Sequence, residues 1–263
     1  MKLSNVFRQL VLSEVASLQC ATTGRPQSLC PDQALDHMFK VLRTGMQWRE
    51  LDATVSYTTV FRRFHAWAAA GVFSKAYARA LATYRRLHPT AYYCVDSSYV
   101  KNRFGQRGLG RNHTDRGRKA LKLSVVTDHN GVCFAARTDP ANRPDVTLLG
   151  ASLDAILTHV DGVCLYADRG YDSRNNRRIC TEAGMRDRIF RRKTKTGRRA
   201  NARRAVVEHT FAWLNRFRRL LLLYEQMPAT YLAFVFLAVG HHLSARFLSV
   251  AASSQIRATQ QPG

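Results

Sequence analysis

The spacing of apolar residues changes at Pro89, and this change constrains the fold more than any other feature of the sequence. Before Pro89, apolar side chains recur every three or four residues, as in α-helices that bury one face. After Pro89, segments rich in β-branched and aromatic residues alternate with helical patterns. The sequence therefore predicts a helical domain over residues 1–88, an α/β domain over residues 89–250 and a flexible tail over residues 251–263.

Three helices are predicted in the N-terminal domain. The first helix begins at Pro31, the second begins after Ser56, which is its predicted N-cap, and the third ends before Pro89. Arg62 and Arg63 are predicted to point outward from the second helix, which suits a helix-turn-helix-like contact with DNA. A helical bundle with solvated arginines accounts for the same pattern equally well.

The C-terminal domain shows the element order of a ribonuclease H-like fold. Three strands come first, and a helix, a strand, a helix and a last long helix follow, with room for one more strand before that helix. The predicted strands cover residues 92–100, 121–127, 132–138 and 163–167, and the predicted helices cover 145–159, 174–183 and 203–222. We expect a mixed five-stranded sheet flanked by helices.

The chain carries 41 Lys and Arg against 18 Asp and Glu, a formal net charge of +23, which predicts a polyanionic partner. Arginine grips phosphate bidentately and supplies 33 of these bases. The bases are densest over residues 104–119 and 186–204, which we expect to follow DNA, although solvated charged surfaces would look the same. The expected phosphate contacts in these two regions are Arg107, Arg111, Arg116, Arg118, Lys119, Arg191, Arg192, Lys193, Lys195, Arg198 and Arg199.

The sequence predicts no membrane span and no secretion. Residues 1–20 lack the features of a signal peptide, and the most apolar stretch, residues 232–239, is far shorter than the about 18–20 residues that span a bilayer. The six cysteines show no CxxC pair or finger spacing, as in proteins of a reducing compartment. We expect a cytoplasmic protein at the bacterial nucleoid, or a nuclear one if the host is a eukaryote.

Three acids stand out by their placement: Asp96 inside the first strand, Asp168 at the end of the fourth, and Glu208 in the last long helix. Acids at strand ends beside a helix can converge, and converging carboxylates need a cation to offset their repulsion. Oxygen ligands of this kind select Mg²⁺ or Mn²⁺. The alternative is that each aspartate caps a turn and that Glu208 is solvated.

Around these acids the sequence resembles the DDE-type transposases of insertion sequences, in the group named after insertion sequence five. The resemblance covers roughly residues 30–245, and its ADRGYDS and VEHTFAWL blocks are the specific ones. The matching stretches are residues 46–51 (MQWREL), 60–72 (VFRRFHAWAAAGV), 95–100 (VDSSYV), 117–122 (GRKALK), 126–131 (VTDHNG), 141–145 (ANRPD), 167–173 (ADRGYDS), 206–220 (VVEHTFAWLNRFRRL) and 231–238 (YLAFVFLA).

The resemblance implies that Asp96, Asp168 and Glu208 are the catalytic acids and hold two Mg²⁺ or Mn²⁺ ions. It also implies that Arg204 grips a phosphate, the alternative being an i,i+4 ion pair with Glu208. The implied enzyme is a homodimer on double-stranded DNA that cleaves transposon ends and joins their 3′-hydroxyls to target DNA. A metal-dependent nuclease of the same fold and an inactive or domesticated DNA-binding protein remain alternatives. The sequence departs from the family pattern at three positions, Asn201, His209 and Asn215.

Overall fold

A computed structural model of the chain describes residues 2–18, 29–52, 55–156, 162–191 and 198–248. The predicted tail, residues 251–263, lies outside these ranges. The chain divides into two compact units. The first combines the described residues up to His88 with Phe217–Arg219 and with the described residues from Ala233 onward; the second comprises Pro89–Arg216 and Leu220–Leu232. The domain limits predicted from the sequence stay a prediction.

The first unit is helical, as predicted. Its N-terminal helices are α1 (Asn5–Ala16), α2 (Pro31–Thr44), α3 (Tyr57–Ala69) and α4 (Val72–Leu87). The sequence predicted α2, α3 and α4 but not α1. Gly45 ends α2 in the left-handed conformation, φ 72°, and donates its N–H to the Val41 carbonyl, as a glycine C-cap does.

Helix α8 (Pro228–Leu243) extends through a π-helical turn to Leu248. By length and composition alone, Pro228–Leu248 could cross a membrane, but 67% of its apolar window is buried inside the protein. Within the first unit, Phe234 stacks on Phe64 with 4.1 Å between ring centroids. A Cβ at Gly240 would lie 2.0 Å from the ring of Phe7, so only glycine permits this packing. The apolar character of α8 thus belongs to a protein core.

The second unit contains the mixed sheet, whose five main strands run in the order β4-β3-β1-β5-β6. Strand β3 is antiparallel to both of its main neighbours, β4 and β1, whereas β5 runs parallel to β1 and β6 runs parallel to β5. The short strands β2 and β7 add to β3 and β1 respectively. The strands are β1 (Tyr92–Asn102), β2 (Gly110–Asn112), β3 (Arg118–Asp128), β4 (Cys133–Pro140), β5 (Cys164–Ala167), β6 (Arg186–Ile189) and β7 (Leu222–Leu223).

Three helices accompany the sheet: α5 (Leu149–Leu153), α6 (Arg174–Glu182) and α7 (Arg198–Leu214). The continuous helix predicted over residues 145–159 is wrong, because α5 has only five residues and lies between two 3₁₀ turns. Gly150, a poor helix former, lies within α5. The last helix ends at Leu214 rather than at residue 222, because Leu222 and Leu223 pair with β1 instead.

Candidate active site

Strands β1 and β5 bring Asp96 and Asp168 next to each other. They run parallel, and their last register pair is Val95 with Ala167. Asp96 is the next residue of β1 and Asp168 is the first residue after β5, so the two acids begin from neighbouring positions. Parallel strands are commonly buried and apolar, which makes two adjacent carboxylates here a candidate for function rather than for stability.

The carboxylate of Asp96 is held in a partly buried, electronegative environment. The Ser97 backbone N–H donates to its Oδ1 at 2.8 Å. Burial raises the pKa of Asp96 to about 6, and the negative charges of Asp168 and Asp145 act in the same direction, whereas Arg204 opposes them. A cation beside Asp96 would therefore relieve electrostatic repulsion.

Helix α7 brings the third predicted acid toward the first. It packs on the sheet through Val207, which is fully buried with Cys94 and Tyr166. Cys94 and Asp96 lie two residues apart on β1 and so share the face that contacts α7. The Cys94 thiol reaches the carbonyl of Arg203 in α7 at 3.2 Å, which fixes the helix beside the strand.

Arg204 connects two of the three acids. Its guanidinium donates to Asp96 Oδ2 at 3.0 Å and also to the carboxylate of Glu208, one turn further along α7. The i,i+4 ion pair left open by the sequence is therefore present. The same guanidinium also reaches the strand, which a purely local pair would not do.

Asp168 begins a turn and also belongs to the acid cluster, by which we mean Asp96, Asp168 and Glu208. Its Oδ1 accepts the N–H of Gly170 at 2.7 Å, capping the 3₁₀ turn Arg169–Tyr171. The capping alternative is therefore also realised, because this interaction uses one carboxylate oxygen. The charge of Asp168 still contributes to raising the pKa of Asp96, so the two acids are electrostatically coupled.

The structure adds Asp145 and Lys122, which the sequence prediction did not assign to the site. Asp145 Oδ1 accepts from Ser97 Oγ at 2.6 Å and from Lys122 Nζ at 2.8 Å. The sequence placed Asp145 only at the start of a predicted helix. A signal was available, because Asp145 ends the ANRPD stretch and Lys122 ends the GRKALK stretch of the family resemblance.

Comparison with known proteins identifies the chain that carries this cluster. The family profile described as "Transposase DDE domain" matches residues 88–241, more than half of the chain. The chain belongs to the DDE transposase family. A second profile, "Putative transposase of IS4/5 family", matches residues 11–77, within the helical N-terminal region. The predicted family is thereby confirmed, and the protein is a transposase.

Individual relatives agree with this assignment. The transposase is 39% identical over 142 residues to the "Putative transposase for insertion sequence element IS402" of Burkholderia cepacia, covering 51% of this chain and 67% of that one. The piggyBac transposase, solved as a synaptic complex with hairpin DNA, aligns with a TM-score of 0.52 at 8% identity, covering 94% of this chain and 72% of that chain. The ribonuclease H-like fold predicted from the sequence is confirmed. A pre-cleavage Mos1 transpososome aligns at a TM-score of 0.29, too low to bear on the fold.

The donor atoms of the cluster suit a hard divalent cation. Asp96, Asp168 and Glu208 offer carboxylate oxygens, the ligands that Mg²⁺ and Mn²⁺ prefer. Across the described ranges, no three acidic, histidine or cysteine side chains are already arranged around one point that could hold a metal ion. Arg204 pairs with both Asp96 and Glu208 and supplies the positive charge there. The residues fit a cation once Arg204 releases Glu208.

The basic residues predicted over 104–119 are exposed in this transposase. They lie before β2, on β2, in the following turn and at the start of β3: Arg107, Arg111, Arg116, Arg118 and Lys119. Arg116 adopts a left-handed backbone, φ 52°, and Gly117 follows it with φ 70°. These two residues turn the chain from β2 back into β3 and keep the basic side chains on a compact hairpin.

The other predicted DNA contacts have different outcomes. Arg191 is exposed. Arg192, Lys193 and Lys195 lie outside the described residues, as do the side chains of Arg198 and Arg199 at the start of α7. Arg62 is exposed on α3, as predicted. Arg63 is half-buried and donates to the Leu29 carbonyl, so its predicted outward orientation is wrong.

Proposed function

We propose that this transposase binds the ends of its own element, cleaves them, and joins the resulting 3′-hydroxyls to target DNA. Asp96, Asp168 and Glu208 carry the chemistry. The observation that supports the proposal most directly is the convergence of α7 on the middle of β1 and the end of β5. A single guanidinium, Arg204, reaches both Asp96 and Glu208 there.

The three acids are the residues that would hold divalent metal. Asp96 and Asp168 stand on adjacent strands, and Glu208 would join them when Arg204 turns away. DDE transposases generally use divalent metal ions. Two bound Mg²⁺ or Mn²⁺ ions would activate the attacking water or 3′-hydroxyl and stabilise the departing oxygen.

Arg204 would exchange one partner for another. Its carboxylate partner Glu208 has a side chain that is 49% exposed, so this ion pair costs little to break. A DNA phosphate that enters the cluster brings a negative charge able to accept the same guanidinium bidentately. Arg204 would thereby position the phosphate while releasing Glu208 for metal.

The partner proposed for the two basic regions is double-stranded DNA. The exposed bases Arg107, Arg111, Arg116, Arg118 and Lys119 would neutralise phosphates along the transposon end. Phosphate contacts of this kind position the duplex without reading its sequence. Arg62 on α3 is proposed to contact the same end. We further propose a homodimer on DNA that holds two ends together, and a cytoplasmic location at the nucleoid.

The test uses purified full-length protein, duplexes that carry the ends flanking its gene, and Mg²⁺, with the products resolved on denaturing gels. Asp96→Asn, Asp168→Asn and Glu208→Gln should each reduce cleavage and joining to background while binding of the end duplex persists in Ca²⁺. Asp154→Asn, at an exposed acid of the same unit outside the cluster, is the matched control and should retain activity. Wild-type cleavage by any triad variant would overturn the assignment of that residue.

The same reaction separates the transposase from a nuclease of the same fold. Both activities would use the same acids, so the variants alone do not distinguish them. A pre-cleaved end with a free 3′-hydroxyl, incubated with supercoiled target, should give covalently joined product. Cleavage without joining would favour the nuclease, and end binding without either activity would favour a domesticated DNA-binding protein.

A further inference from the structure

Asp145 hydrogen-bonds to Ser97 and lies beside Gly170, the residues whose N–H groups hold Asp96 and Asp168, although it is not one of the three proposed metal ligands. Its Oδ1 accepts the hydroxyl of Ser97, and the backbone N–H of the same serine donates to Asp96. Ser97 follows Asp96 on β1 and therefore faces the opposite side of the sheet. Asp145 thus binds the side chain of Ser97 on one face of the sheet, while the backbone N–H of Ser97 orients the Asp96 carboxylate.

Asp145 also lies beside the turn that orients Asp168. Gly170 donates its N–H to Asp168 Oδ1 at 2.7 Å. A Cβ built on Gly170 would lie 2.9 Å from that oxygen and 3.2 Å from Asp145 Oδ2. The two carboxylates therefore flank the glycine closely, and any larger residue would have to push one of them aside.

Lys122 holds Asp145 in this position. The lysine side chain is only 3% exposed, and its ammonium donates to Asp145 at 2.8 Å and to the Arg143 carbonyl at 2.7 Å. A buried ammonium with these two partners has little freedom to move, so it fixes the Asp145 carboxylate. It also offsets the negative charge that Asp145 adds beside Asp96 and Asp168.

We propose that Asp145, anchored by Lys122, is a positioning residue that orients Asp96 and Asp168 through Ser97 and Gly170 for divalent-metal binding. This inference rests on the proposed function, because it assumes that those two acids hold metal. Groups that orient metal ligands commonly contribute 10–100-fold to metal affinity without touching the ion. Asp145 would act on Asp96 through its hydrogen bond to Ser97 and on Asp168 through its close approach to Gly170.

The experiment measures binding of Mn²⁺ alone to the full-length protein by electron paramagnetic resonance of the free ion, without DNA. Asp145→Asn should weaken Mn²⁺ binding about 10–100-fold. Ser97→Ala removes the hydrogen bond to Asp145, and Gly170→Ala disturbs the turn beside Asp145. Each should also weaken Mn²⁺ binding, but less than Asp145→Asn does. Asp154→Asn removes an exposed acid of the same segment and should bind Mn²⁺ like the wild type.

Stability is controlled separately. Leu153→Ala creates a cavity at a buried residue of α5 without touching the acids, and it should lower the melting temperature while leaving Mn²⁺ affinity unchanged. If Leu153→Ala weakens Mn²⁺ binding as much as Asp145→Asn does, the positioning role is overturned. Should Asp145→Asn not fold, Ser97→Ala and Gly170→Ala carry the test, and unchanged binding in both would overturn the inference.

The outcomes also separate this inference from the proposed function. If the wild type binds Mn²⁺ and Asp145→Asn binds it equally well, only the positioning role fails. If Asp145→Asn abolishes binding as completely as Asp168→Asn does, Asp145 is a direct ligand and the positioning role again fails. If the wild type itself retains no Mn²⁺, the metal-binding part of the proposed function fails and the inference fails with it.

Discussion

The acid cluster has two sides that balance charge with cations of different exposure. On the α7 side, Arg204 pairs with Asp96 and Glu208, and the Glu208 side chain is 49% exposed. On the opposite side, Lys122 pairs with Asp145 and is only 3% exposed. Exposed ion pairs contribute little and exchange partners readily, whereas a buried cation that loses its partner is costly. We therefore call the Arg204 side the adaptable side, because its ion pair with Glu208 can exchange partners. We call the Lys122 side the fixed side, because its ion pair with Asp145 cannot do so without leaving a buried charge unpaired.

This asymmetry suits a site that must admit a charged substrate. The guanidinium of Arg204 can leave Glu208 for a phosphate at small cost, because solvent already competes for the glutamate. Lys122 has a carbonyl and a carboxylate as its partners and no comparable route to solvent. The fixed side would therefore keep the strand acids in place while the adaptable side changes partners.

The largest expected effect comes from breaking the fixed side. Asp145→Leu leaves the ammonium of Lys122 buried without its carboxylate, and it should lower the free energy of unfolding by about 3 kcal/mol. Adding Lys122→Met should recover most of that loss, since the double variant buries no unpaired charge. Urea unfolding at neutral pH measures both. Equal stability of the single and double variants would show that the pair is not coupled.

Breaking the adaptable side should affect stability less. Arg204→Gln removes the half-exposed pair with Glu208 and the more buried pair with Asp96, so the free energy of unfolding should fall by about 1–2 kcal/mol. The same variant should bind the end duplex more weakly and reduce the slope of log K against log salt by about 0.9, the value for one lost phosphate contact. Titrations at several salt concentrations measure the slope. A slope equal to that of the wild type would show that Arg204 does not contact phosphate.

The basic residues of the β2–β3 hairpin provide a comparison with Arg204. In the proposal they bind DNA phosphates and form no ion pair with Asp96, Asp168 or Glu208. The double variant Arg118→Ser with Lys119→Ser should reduce the same salt slope by up to about 1.8, or 0.9 for each contact. Its Mn²⁺ binding should match that of the wild type. Weakened Mn²⁺ binding would instead place these bases within the electrostatics of the metal site.

The smallest expected effect concerns two largely buried histidines at the end of α8. In the first unit, burial lowers the pKa of His241 to about 4, and its Nδ1 accepts the Ser4 backbone N–H at 3.0 Å. Burial also lowers the pKa of His242 to about 4.

Both histidines bind protons more readily when unfolded, with a pKa near 6.5, than when folded. Stability should therefore be complete above pH 6.5 and should fall as the pH drops from 6.5 toward 4. The loss at pH 6 should be under about 1 kcal/mol for each histidine, and less for the partly exposed His242. Replacing both by Gln should flatten the pH dependence of urea unfolding over this range. An unchanged slope would show that other groups cause it.

The sequence predicted the elements whose burial pattern is local. Helices α2 to α4 and the main strands follow from the spacing of apolar residues together with glycine, proline and turn residues, all readable along the chain. The prediction failed where a distant partner decides the local structure. Residues 222–223 continue a helical pattern in the sequence but pair with β1 in the structure.

The candidate site divides in the same way. The sequence points to Asp96, Asp168 and Glu208 by their placement inside a strand, at a strand end and in the last long helix, and because the surrounding motifs resemble those of a known family. Asp145 follows a proline at a turn, where an aspartate is ordinary, so its local pattern does not reveal its partners. Only the family resemblance of the ANRPD and GRKALK stretches marks Asp145 and Lys122 in the sequence.

The sequence by itself determined the family, the ribonuclease H-like order of elements and the excess of positive charge. These properties depend on residue type and on spacing along the chain. Only the tertiary structure decided that Lys122 is a buried cation, that Asp145 faces Ser97 and Gly170, and that Arg204 reaches Asp96 as well as Glu208. Contacts between residues tens of positions apart depend on strand register and helix placement, and the physical role of a charge depends on which partner the fold places beside it.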